Sequence, residues 1–155
     1  EDRRFDENLY GYNDLCFGET LKIGHKEAVD LKTVNCQRAL RERGMTRHQL
    51  SSTYHNLGLL LMAKGQLSAA LKNFQQSVAL TDTVDKRNVA LALLAHRMGH
   101  VDVALTQYTL LLSTPDAIDS DSMRVLKRNH GKLALTAVAK HSDSPAHYGE
   151  TLGDA

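Results

Sequence analysis

The stretch that decides the fold is Tyr54-His55-Asn56-Leu57-Gly58, followed by Ala63-Lys64-Gly65, Ala70 and Phe74. Advanced by the constant step that carries Tyr54 to Asn88, it becomes Asn88-Val89-Ala90-Leu91-Ala92, then Arg97-Met98-Gly99, Ala104 and Tyr108. Gly65 falls on Gly99, Ala70 on Ala104, Leu71 on Leu105, Phe74 on Tyr108 and Leu57 on Leu91, with nothing inserted or deleted. A fixed internal period of this length is the mark of stacked supersecondary units.

Each unit reads as helix–turn–helix. Thr46 is a good N-cap, and Gln49 three residues later completes a capping box, which predicts a helix over 47–63. Tyr54, Leu57 and Leu61 share one helical face. Gly65 supplies the positive φ needed to leave the helix. Leu67, Ala70, Leu71, Phe74 and Val78 carry the helical spacing into the second helix, where small Ala70 allows close approach and Phe74 fills the space beside it. The second unit runs from about Asp85 to Ser113, turns at Gly99 and stops at Pro115.

This pattern resembles the tetratricopeptide repeat, W-x2-L-G-x2-Y followed by A-x3-F, recurring at intervals of about 34 residues. The first unit offers Tyr54-x2-Leu57-Gly58-x2-Leu61 and Ala70-x3-Phe74; the second offers Asn88-x2-Leu91-Ala92-x2-Ala95 and Ala104-x3-Tyr108. Asn88 replaces the large aromatic, and Asp82 and Asp116 stand where the family often has proline. The resemblance covers about residues 51–118. It implies an all-α fold, with antiparallel helix pairs stacked as a short right-handed α-solenoid between flanking capping helices.

Two repeats rarely bury enough surface alone, so the flanks are expected to add helices. Residues 26–43 suit a helix with Ala28, Leu31, Val34 or Asn35, Ala39 and Leu40 on its apolar side, ended by Gly44. A back-shift by the same period puts Cys36 at the Ala70 position and Leu40 at the Phe74 position, as in a degenerate first repeat. Downstream, Asp119 or Ser120 can cap a helix bearing Met123, Leu126, Leu133, Ala137 and Val138. The expected organisation is one domain, 1–155. It comprises an N-terminal helical segment or degenerate repeat (13–46), repeat one (47–84), repeat two (85–118), a capping helix (119–141) and a mobile tail (142–155).

Composition narrows the function. Lys plus Arg is 19 against 18 Asp plus Glu, a net charge of +1, which offers no field for nucleic acid or an anionic membrane. Aromatics are only 5% and Trp is absent, so base-stacking platforms are not expected either. The longest apolar runs, Leu59 to Ala63 and Val89 to Ala95, are far too short to insert in a bilayer. The sequence begins at Glu1, as a processed product or a fragment would.

No Gly-x-Ser-x-Gly, Walker loop or Gly-x-Gly-x-x-Gly is present, so no enzyme activity and no cofactor are expected. Among eight histidines, His96 and His100 have i,i+4 spacing, but Gly99 separates them at a predicted turn and no local carboxylate or Cys completes a metal site. His130 reads as a half-buried residue of the last helix. Arg124, Lys127, Arg128, His130 and Lys132 form the clearest basic cluster, most simply the solvated side of a capping helix.

Cys16 and Cys36 have no zinc spacing. A cysteine pair ahead of the first Tyr-x2-Leu-Gly repeat resembles exported bacterial tetratricopeptide proteins, which implies a Cys16–Cys36 disulfide and a periplasmic or otherwise exported protein. Two inert buried thiols in a cytoplasmic protein are the other reading.

By the same resemblance, the first helix of each pair lines the inner surface. Repeat one would show Ser52, His55, Leu59 and Met62 there; repeat two would show Lys86, Val89, Leu93, His96 and Arg97. An apolar floor with a basic end suits a partner protein's peptide or helix. The expected function is therefore an adaptor or assembly module, with a structural homodimer as the alternative.

Overall fold

The computed structural model describes residues 26–42 and 44–142, with side chains over 29–42 and 44–139. The described residues form six α-helices and no strand: α1 (Lys26–Arg41), α2 (Arg47–Ala63), α3 (Leu67–Ala79), α4 (Lys86–Arg97), α5 (Val101–Leu112) and α6 (Ser120–Ser142), with a 3-10 turn at Pro115–Ala117. The fold is all-helical, with helices adjacent in sequence packed on one another: α2 on α1 and α3, α6 on α5. The described residues divide into two compact units, one ending at Leu91 and the other starting at Ala92, the division falling within α4.

Local chemistry starts and stops these helices where the sequence reading places them. At the start of α2, the Gln49 N–H donates to Thr46 Oγ1 (3.1 Å) and the Thr46 N–H donates to Gln49 Oε1 (3.0 Å). This reciprocal box satisfies two amides that the helix leaves without partners. At its end, Gly65 takes φ +79°, its N–H donates to Met62 O (2.9 Å), and the Gln66 N–H reaches back to Leu61 O (2.9 Å). That pair of bonds is a Schellman motif. Gly99, also at φ +79°, repeats it: its N–H donates to His96 O (3.1 Å), and the His100 N–H to Ala95 O (2.8 Å). The internal period is thus written in hydrogen bonds as well as letters.

Burial follows the same period. Leu57 and Leu91, Leu60 and Leu94, Leu61 and Ala95, Ala70 and Ala104, and Phe74 and Tyr108 are all buried. Cys36, Ala70 and Ala104, each one period from the next, have no exposed surface at all. Phe74 lies so close to α2 that a Cβ on Gly58 would stand 2.4 Å from its ring. Only a bare backbone lets the ring fit at that position.

The covered side of α1 differs from the expected one. Ala39 and Asn35 are buried as the spacing allows, and so is Cys36, but Lys32 and Thr33 are buried too, while Leu31 is 61% and Val34 45% exposed. Spacing alone favours the stripe with the bulkiest apolar residues. The covered side instead includes the small Cys36 and Ala39, and α1 packs on α2. The Lys64 ammonium adds a 2.9 Å ion pair from the end of α2 to Asp30 of α1. Cys16, the expected partner of Cys36, lies outside the described residues, as does the expected tail from residue 143.

Helix propensity favours Gly58→Ala by about 1 kcal/mol, but the Phe74 ring stands in the way. Gly58→Ala is expected to lose about 2 kcal/mol net in denaturant unfolding. Adding Phe74→Leu should then cost less than Phe74→Leu costs in the natural chain.

Candidate functional site

In α2 the predicted inner residues Ser52, His55, Leu59 and Met62 recur at three- and four-residue steps and share one side of the helix. Ser52, Leu59 and Met62 are half-buried; His55 is buried. The rest of α2 supports this side from below. Leu57, Leu60 and Leu61 are buried, and Ser51, Thr53 and Gly58 are covered as well. In α4, Lys86 and Arg97 are exposed, Val89 and His96 are half-buried, and Leu93 is 39% exposed. Leu93 stands out because its neighbours Leu91, Ala92, Leu94 and Ala95 are all buried.

Beneath the α2 side lies a polar cluster that spacing does not single out. Ser51 Oγ donates to Ser77 O (2.7 Å) and Ser77 Oγ donates to Ser51 O (2.6 Å), a reciprocal clasp between α2 and α3. Arg87, from the first turn of α4, donates through Nη1 to Ser51 Oγ (2.9 Å). Its Nε and Nη2 grip the two carboxylate oxygens of Asp85 at 2.9 Å and 2.5 Å. The Arg87 N–H also donates to Asp85 Oδ1 (2.9 Å), and the Asp85 N–H donates to Asn88 Oδ1 (3.1 Å). Asp85 and Asn88 therefore cap the start of α4 much as Thr46 and Gln49 cap α2, except that the Asp85 side chain accepts from the amide of Arg87. The Arg87 side chain is almost fully buried, so its charge requires this two-pronged partner. In return, the hydrogen bonds from Arg87 hold the Asp85 carboxyl below the usual carboxylate range.

His55 sits at the edge of this cluster, its ring 5.6 Å from that of Phe74. Its Nδ1 is buried and has no hydrogen-bond partner. Burial, reinforced by the nearby charges of Lys86 and Arg87, pushes its pKa down to about 4.

The second unit builds its polar centre elsewhere. Tyr108, fully buried, brings its hydroxyl 2.8 Å from Nδ1 of His96 and also bonds the Asn129 side chain. The His96 ring meets Tyr108 edge-on at 5.7 Å, and His130, half-buried on α6, does so at 6.4 Å. Burial raises the pKa of the phenol, which keeps it a neutral hydrogen-bonding group. His96, expected to orient a partner, thus also braces Tyr108. On α6, Arg124, Lys127, Arg128 and Lys132 are exposed, with Arg124 3.7 Å from Asp121.

Periodicity could not have found Arg87 and Asp85 as a pair. The signal was present in Asp85-x2-Asn88, a helix-start pattern like Thr46-x2-Gln49. Among the described residues, no three of His, Cys, Asp and Glu come together to hold a metal ion, and no helix is long and apolar enough to cross a membrane. No protein-family model, curated protein or solved structure matches the chain.

Losses at the two members of the Asp85–Arg87 pair should not add, because removing either already strands the other. Asp85→Asn, which strands the Arg87 charge, is expected to cost about 2 kcal/mol of unfolding free energy. The double variant Asp85→Asn/Arg87→Met should cost less than the two single losses added together, as a double-mutant cycle would read.

Proposed function

We propose that the chain is a non-catalytic interaction module of tetratricopeptide type. In this reading its helix pairs stack as a right-handed α-solenoid, and α2 and α4, the first helices of the two pairs, take a partner's peptide or helix. The observation that carries the reading is Leu93, which keeps 39% of its surface exposed between buried neighbours. Its counterpart one period earlier, Leu59, is half-buried rather than consumed by the core. Buried packing explains most apolar residues of α2 and α4; it does not explain these two. Met62 and Val89 extend the apolar contact, and Ser52, His55, Lys86, His96 and Arg97 supply hydrogen bonds and positive charge to orient the segment. The repeated turn geometry and the repeated burial support the family reading.

Charged substitutions should separate binding from folding. Leu59→Glu with Leu93→Glu is expected to abolish partner capture in affinity pull-downs while the circular dichroism stays helical. An unchanged set of captured proteins overturns the reading. Homodimerisation through an open end of the stack is the second reading, favoured by Leu135 and Val138, which are 73% and 65% exposed on α6. Sedimentation across a concentration series distinguishes a dimer from a monomeric adaptor.

We further propose that Cys36 is bridged to Cys16 in an exported, periplasmic protein. Cys36 is fully buried at the position of Ala70 and Ala104, where a bridge would tie the N-terminal segment to the first helix pair. The chain-entropy model gives about 3 kcal/mol for closing such a loop. Titration of the denatured, unreduced protein should find no free thiol; two free thiols overturn the bridge.

A further inference from the structure

We propose that His55 is an acid-sensitive latch: neutral, it lets the first turn of α4 stay packed against α2 and α3, and taking up a proton from solvent releases that turn. The inference concerns the first unit's own packing and does not depend on whether a partner binds.

The geometry leaves a protonated imidazole nowhere favourable to be. His55 is only 7% exposed, its ring lies against the apolar ring of Phe74, and Nδ1 has no acceptor for the proton it would gain. A buried cation without a hydrogen-bond partner is among the costliest groups a core can hold. The charged neighbours add to the cost. Lys86 and Arg87 oppose a further positive charge, and Asp85, which favours one, is already gripped by Arg87 through both oxygens. On α3 the single charged residue, Lys72, is exposed. Over the part of α1 whose side chains are described, residues 29–41, the charges are Asp30, engaged by Lys64, and the cations Lys32, Arg38 and Arg41. Among the residues of these packed helices whose side chains are described, no uncommitted carboxylate therefore compensates a charged His55.

What opens is set by what is joined there. Arg87 fastens α4 to the Ser51–Ser77 clasp from beside the imidazole. The sign follows from proton counting. Packed, His55 titrates at about 4; solvated, it returns to about 6.5. The opened form thus binds more protons between these values. Packing is fully favoured above about pH 6.5 and is progressively lost as the pH falls toward 4. At about pH 5 the opened form should be favoured on the order of 30-fold more than at about pH 7.5.

Amide hydrogen exchange of the full chain reads this directly, with the intrinsic pH dependence of exchange divided out. Protection of the amides of Asn88, Val89 and Leu91 is expected to fall on the order of 30-fold between about pH 7.5 and pH 5. Protection of Tyr108 and Leu111, in the other unit, should fall far less. His55→Leu should flatten the pH dependence at the first set of amides. His55→Gln, which keeps a polar side chain without a titrating proton, should do the same and serves if the leucine chain fails to fold. Protection that does not change with pH in the natural chain overturns the latch, as does an equal fall in both variants. A parallel fall at Tyr108 and Leu111 also overturns it, because the whole chain would then be opening rather than one turn.

Discussion

The ring of Phe74 over Gly58 sets the spacing on which the first unit depends. An aromatic ring can occupy that space only where the facing helix presents bare backbone, so α2 and α3 come close at this point. Ala70, one turn before the ring and without exposed surface, permits the same approach. The second unit solves the problem with different residues: Ala92 and Ala104 are fully buried, and Tyr108 takes the place of Phe74. Its extra hydroxyl would be a liability in a closed core, and His96 and Asn129 meet it. One repeat is therefore closed by an apolar ring against glycine, the other by a phenol held in a polar network.

The small residues and rings carry the contact between paired helices, and other sides of α2 and α4 are covered less completely. On α2, Ser52, Leu59 and Met62 remain half-buried above a firmly packed base; on α4, Leu93 remains exposed. In the interaction role proposed above, exposed apolar groups on a packed base lower the ordering cost of taking a partner. The Ser51–Ser77–Arg87–Asp85 cluster contributes by fixing where α4 starts with bonds that have direction as well as strength. It also places two cations beside His55, which couples the packing of this turn to proton concentration.

Much of this architecture is legible in the letters. Thr46 and Gln49 announce the start of α2, Gly65 and Gly99 announce turns that share one hydrogen-bond pattern, and Pro115 marks the end of α5. The inward positions of Leu57, Ala70, Phe74 and their counterparts follow from the period. The covered side of α1 follows only in part: the period places Cys36 inward, but apolar spacing ranks Leu31 and Val34 above Thr33 and Lys32. The buried state of Arg87 is equally invisible, because a charged residue in a helical pattern is ordinarily assigned to solvent.

What the sequence determined by itself was everything governed by neighbours within a turn or by an exact internal period: helix starts, helix stops, and which residues of each pair point inward. Those depend on caps, on glycine's access to positive φ, and on the helical repeat, all of which act over a few residues. Only the tertiary structure decided which polar groups would be buried together. Ser51 and Ser77 are 26 residues apart, and Arg87 is 36 from Ser51. His55 acquires its character from Phe74, Lys86 and Arg87, none of them within a turn of it in the chain. Desolvation and charge act through space, so the environment of such a group exists only once the helices have packed.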